Sequence, residues 1–232
     1  MSTRNGLTLG TLAKTELHVA IGPAVILLLA GDWRWAEGWA FSIWFVALST
    51  ASMLWMYLND PALLAERFRK AGTGGQESWD RRFVQIYMAC VVAWHILVPL
   101  DAKRFSVTPR FPLWLELTGA AMLLLSSYMS FSSFRENTFL SPFVRLQSDR
   151  SQHVISTGVY GVIRHPMYLG TCLMFLGGPL LLGSISGLIL GVAIAGTIVM
   201  RIRGEEHMLL AKLRGYYRYR KQVRYRLLPF VW

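Results

Sequence analysis

The tract Met167–Met200, MYLGTCLMFLGGPLLLGSISGLILGVAIAGTIVM, decides how this chain is built. One membrane crossing takes about 20 apolar residues, and this run is much longer. Gly177, Gly178, Pro179, Gly183 and Gly187 interrupt its middle, and glycine and proline punctuate helices. The tract therefore reads as two short antiparallel helices turning near Gly183, a hairpin that returns the chain to the face it left. Upstream, apolar runs lie at Leu17–Ala30, Trp35–Leu58, Phe83–Leu100 and Pro112–Phe134. Gly22 and Pro23 predict a kink in the first. The expected fold is all-α and integral to the membrane, with about six transmembrane helices including the C-terminal hairpin.

Charge supports that count. In the six-span arrangement, 20 of the 24 Lys and Arg residues fall on the side holding both termini, Arg4 and Lys14 among them. Only Arg34, Lys103, Arg104 and Arg110 fall opposite. The positive-inside rule then places both termini in the cytoplasm, whereas a single crossing in place of the hairpin would put the very basic tail outside.

The composition agrees. The 232 residues are 53% hydrophobic with positive mean hydropathy, more apolar surface than one soluble core of this size needs. The net charge of +11 comes from cations that punctuate hydrophobic runs instead of forming a separate basic patch. That excludes nucleic acid as the expected partner and favours the lipid bilayer or anionic ligands. Cys90 and Cys172 sit in apolar runs without metal-ligand spacing, so neither a disulfide nor a metal site is expected. The first apolar run ends in Gly31-Asp32-Trp33 without a small-residue cleavage pattern and reads as a retained span. His18 and His95 read as packed or hydrogen-bonded histidines, the methionines as gap fillers, and Trp33, Trp35, Trp39 and Trp114 as interfacial anchors.

Chemistry concentrates at Arg135–Tyr168, RENTFLSPFVRLQSDRSQHVISTGVYGVIRHPMY. Connections this long are functional or disordered, and the apolar and aromatic content argues for order. The loop closes on His165-Pro166-Met167-Tyr168, where proline at the first helical position opens the fifth span. Such a helix start offers backbone N–H groups and a positive dipole end to a carboxylate or phosphate. Standing alone, Arg164 and His165 read equally well as interfacial side chains. After the hairpin, Arg201 and Glu205 share a helix face, which by spacing alone suggests an ion pair.

Gly158-Val159-Tyr160, the string RHPMYLG (Arg164–Gly170), the hairpin, and then Arg201 with Glu205 and Glu206 together resemble the isoprenylcysteine carboxyl methyltransferase family and its relatives, the phospholipid methyltransferases. The similarity is strongest from about Glu136 to the C-terminus. NDPALLAER (Asn59–Arg67) also resembles a segment of bacterial members, which implies a bacterial inner membrane more than the endoplasmic reticulum. One departure stands out: Leu213-Arg214-Gly215 occupies the place where many members have Phe-Gly.

The resemblance implies an S-adenosyl-L-methionine-dependent methyltransferase. It implies cofactor contacts from Gln147, Gln152, His153, Val154, Ile155, Tyr160, His165, Pro166, Met167, Tyr168 and Glu205, with Arg201 touching a lipophilic methyl acceptor. Arg201 and Glu205 are then the expected catalytic pair. It divides the chain into residues 1–134, a four-helix transmembrane region shaping an acceptor cavity, and residues 135–232, the methyltransferase core with a cytoplasmic amphipathic C-terminal helix. The basic, aromatic tail Lys212–Arg226 is expected to lie along the membrane surface and cover the cofactor. Methyl transfer to a carboxylate needs no general base, so O-methylation is favoured; an amine acceptor would turn attention to Glu206 or His207, and a thiol stays open. A small transporter or non-catalytic membrane partner is the non-enzymatic alternative. It predicts ionisable residues near the bilayer midplane, where His95 and Glu116 are among the few.

Overall fold

The computed structural model describes residues 9–232; Arg4, counted above among the cytoplasmic cations, lies outside them. The elements are helices α1 (Leu9–Val19), α2 (Ile21–Ala30), α3 (Ala36–Asn59), α4 (Pro61–Arg67), α5 (Ser78–Pro99), α6 (Leu113–Glu136), α7 (Pro166–Leu182), α8 (Ile185–Lys212) and α9 (Tyr216–Gln222). A π-helical turn at Leu100–Arg104 extends α5. Among the described residues, the β-structure is a single bridge between Ile163 and Tyr225.

Five helical runs are long and apolar enough to cross a membrane, and α7, at 17 residues, is a shorter apolar helix. The first run covers Gly10–Ala30 and breaks locally at Ala20. Pro23 lacks the N–H that Val19 would need, while Ala20 still donates to Glu16 and Ala24 to Ala20. The run starts earlier than its apolar stretch because Glu16 finds partners: the α3 hydroxyls of Thr50 and Ser49 donate to it at 2.7 and 3.3 Å. His18 and His95 each bond a backbone carbonyl one turn back, at Lys14 and Val91.

The core gathers Phe41, Trp94 and Phe175 around a fully buried stripe of α8, Ile194, Ile198 and Ile202. Between α6 and α7 the contact is backbone to backbone. A Cβ on Gly177 would fall 2.7 Å from Met122 Cβ and 2.9 Å from the Gly119 carbonyl oxygen, and the Ser126 hydroxyl donates to the Gly170 carbonyl at 2.7 Å. Small residues and interhelical hydrogen bonds are what hold helices together where lipid removes the hydrophobic drive.

The hairpin turns at Gly183, whose φ of 76° suits glycine. Ser184 caps α8 by accepting from the Gly187 N–H at 3.0 Å. Beneath it, buried Asp101 accepts from the hydroxyls of Ser184, Ser186 and Thr108 at 2.7–2.8 Å and from the Ser186 N–H at 3.0 Å. A carboxylate at the start of α8 also meets the positive end of its dipole. The two hairpin helices are unequal. The apolar run ends at Met200, yet α8 continues for 28 residues to Lys212, because the charged residues, Met208 and the leucines that follow are all good helix formers.

Candidate active site

Residues 137–165 fold back over the ends of α4, α5 and α8, held by buried ion pairs. Arg145 grips Glu66 at the end of α4 with two bonds of 2.8 and 2.9 Å, both side chains almost fully buried. It also reaches Asp149 and the Gly74 carbonyl at 3.0 Å each. Burial opposes ionisation of Glu66, but bonds from Arg145, Ser141 and Arg69 outweigh it and hold the carboxyl below its usual range. The Arg145 bond likewise holds Asp149 low.

Asp80, fully buried in the first turn of α5, joins three elements. It accepts from Gln76 Nε2 at 2.8 Å, from the Val144 N–H at 2.9 Å and from Arg201 Nε at 3.0 Å. Arg201 therefore does not pair with Glu205. Its other end donates to the Pro142 carbonyl at 2.8 Å, and its guanidinium lies over the rings of Phe83 and Tyr168 at 4.8 and 5.7 Å.

The two glutamates of the pair part ways. Glu206 is buried and binds Arg164 Nε at 2.6 Å and Arg226 Nε at 2.8 Å, with His165 Nε2 at 3.3 Å. Arg164 also donates to the carbonyls of Val223 and Arg224, and its backbone N–H to that of Tyr225. This network straps the C-terminal segment against the start of α7. Glu205 instead accepts from the Tyr168 hydroxyl at 2.6 Å and faces a cleft.

That cleft brings together Gln152, His153, Val154, Ile155, Tyr160, His165, Met167, Tyr168 and Glu205. Gln147 and Pro166 stand behind it. Gln147 is buried, its side chain donating to the Phe139 carbonyl and accepting from Arg150, and its own N–H held by Gln152 Oε1; it braces the loop. Pro166 opens α7, so the N–H groups of Met167 and Tyr168 in its first turn find no acceptor among the described residues. Two phenols on the cleft wall lack partners as well. The buried hydroxyl of Tyr160 lies near Asn137 and Ser133 without a hydrogen bond to either, and that of Tyr216 has no partner among the described residues. Burial pushes the Tyr216 phenol up, which keeps it a neutral donor.

A second, larger cavity of about 390 Å³ adjoins the first, its lining more apolar. Phe83, Val84, Tyr87, Met88, Thr171 and Ile198 form its walls, together with Arg201. Arg67, Ser141, Phe143, Met167 and Tyr168 line both cavities.

The family model for phospholipid methyltransferases matches residues 114–216, from the start of α6 to the first residue of α9. Over 226 residues the chain is 24% identical to a protein-S-isoprenylcysteine O-methyltransferase of Schizosaccharomyces pombe, an alignment covering 90% of this chain and 96% of that protein. Both matches make the chain similar to the isoprenylcysteine carboxyl methyltransferase family and its phospholipid methyltransferase relatives. The fold of a eukaryotic intramembrane Ras methyltransferase of that name is similar, with a TM-score of 0.52 at 17% identity over 98% of this chain and 88% of the other. The chain is thus a multi-pass integral membrane enzyme, a methyltransferase.

Sequence alone does not single out Asp80, Glu66 with Arg145, or Arg67 for this site, whereas the tail expected to cover the cofactor brings Tyr216 and Tyr219 to the cleft. Those two tyrosines interrupt the basic tail at positions three apart, which share a helix face. Asp80 and Glu66 give no such signal, because a carboxylate in a polar linker looks solvated until its partner, 64 or more residues away, is known.

Proposed function

We propose that the enzyme transfers a methyl group from S-adenosylmethionine to the carboxylate of a lipidic, prenylated acceptor. The supporting observation is the cleft at the start of α7, where two buried phenols and two helix N–H groups lack partners beside the Glu205 carboxylate. Buried polar groups are rarely left unpaired, and this set of donors beside an anion suits a zwitterionic amino acid joined to a nucleoside.

When bound, S-adenosylmethionine supplies an electrophilic methyl group on a sulfonium. The α7 start would receive its carboxylate, Glu205 its amino or ribose groups, and the rings of Tyr160 and Tyr168 would line the cation or the adenine. Tyr168 stands on the wall shared with the apolar cavity, so an acceptor entering from the lipid meets the donor side there. Arg201, fixed by Asp80 and Pro142, contributes positive charge to that meeting point. No residue needs to take a proton from a carboxylate acceptor.

Amine methylation is less well supported. Glu206 is engaged by Arg164, Arg226 and His165, and His207 is exposed and absent from both cavity linings, so neither is placed as a base. The positive-inside asymmetry supports a cytoplasmic cleft with both termini on that side, and NDPALLAER keeps a bacterial inner membrane the favoured setting. The deciding experiment is calorimetric titration of the detergent-purified protein with S-adenosylmethionine. Absence of binding by the parent protein would overturn the proposal.

A further inference from the structure

We infer that Arg67 receives the anionic group of the acceptor at the wall shared by the two cavities. The inference rests on the proposed function and names a residue that composition and spacing did not single out.

Arg67 ends α4, a helix fixed by Pro61 at its first position and by Asp60, which accepts from the Leu63 N–H at 2.9 Å. Its neighbour Glu66 is consumed by Arg145, Arg69 and Ser141. Arg67 itself has no carboxylate within salt-bridge distance among the described residues; its guanidinium lies 5.6 Å from the centre of the Phe134 ring. Three other guanidiniums around the site are each held by a buried carboxylate: Arg145 by Glu66, Arg164 by Glu206, Arg201 by Asp80. Among these site guanidiniums, partly buried Arg67 is the one whose donor fork has no partner in the described residues. It reaches both cavities.

Burial and the nearby Arg201 charge both work against its cationic form. An incoming anion relieves both, and a guanidinium fork takes a carboxylate in two parallel bonds. Held this way, the carboxylate keeps a lone pair for the methyl carbon. The new oxygen–carbon bond forms as the carbon–sulfur bond breaks, the electron pair of that bond stays on sulfur, and no proton moves.

The test compares binding of N-acetyl-S-farnesylcysteine with that of its uncharged methyl ester, using the full-length protein in detergent and without methyl donor. The parent should prefer the carboxylate by about tenfold or more, the scale of charge-assisted bonds. Arg67→Met should bind both alike and Arg67→Lys should recover part of the preference, with both variants unfolding near the parent's temperature. The inference is overturned if the parent shows no preference, if Arg67→Met retains it, or if Arg67→Met and Arg67→Lys both unfold well below the parent, which would make the residue structural. Failure of the parent to bind S-adenosylmethionine would instead remove the proposed function, and the carboxylate–ester comparison would still judge Arg67.

Discussion

Glu205 and Glu206 are adjacent in sequence but about 100° apart around α8, and that angle separates a cleft-facing carboxylate from a buried strap. Glu205→Gln keeps the shape of the cleft and removes its charge, so affinity for S-adenosylmethionine should fall about 10- to 100-fold by calorimetry with little change in unfolding temperature. Glu206→Gln should do the reverse in emphasis. It leaves buried Arg164 and partly exposed Arg226 without their anion, a loss of about 3–5 kcal/mol, seen as a lower unfolding temperature. Tyr216→Phe separates ligand binding from stability in another way. The orphaned hydroxyl costs about 1–3 kcal/mol while unpaired, so its removal should stabilise the donor-free protein slightly and weaken donor binding. A stabilised variant with unchanged donor affinity would show that Tyr216 has no donor contact.

Among elements, the 137–165 loop and the α7–α8 hairpin matter most. The loop is clamped by Glu66 and Asp149 on Arg145. Both carboxyls sit below their usual values, so their contribution is complete above the unfolded-state value near 4–4.5. It is lost as pH falls through the lower folded values. Hydrogen exchange should therefore show the loop opening under acid before the transmembrane helices, and Glu66→Gln should flatten that dependence. The hairpin depends on close approach. Gly177→Leu forces α6 and α7 apart at Gly119 and should cost about 1–3 kcal/mol, read as a drop in unfolding temperature.

For the whole molecule, the proposed orientation predicts labelling from opposite sides. With Cys90 and Cys172 replaced by serine, a cysteine at Arg214 should react with an impermeant reagent only from the cytoplasmic side, and one at Ser106 only from the other. Reaction of both from one face would contradict the six-crossing arrangement. How much of this was legible in sequence follows from the range of the forces involved. Apolar run length, the glycine break near Gly183 and the distribution of Lys and Arg are summed along the chain, so the all-α membrane fold and the hairpin could be read directly. Residues of the RHPMYLG string and Glu205 line one cleft, as a hairpin returning to the same face requires. Pairings across many residues could not be read, because a carboxylate reveals its role only through what the fold sets against it. Tertiary structure alone took Arg201 from Glu205 and gave it to Asp80, turned Glu206 into a strap, extended α8 past the apolar boundary and left Arg67 uncompensated between two cavities. Those outcomes were decided by burial, which forces every charge to find a partner or wait for one.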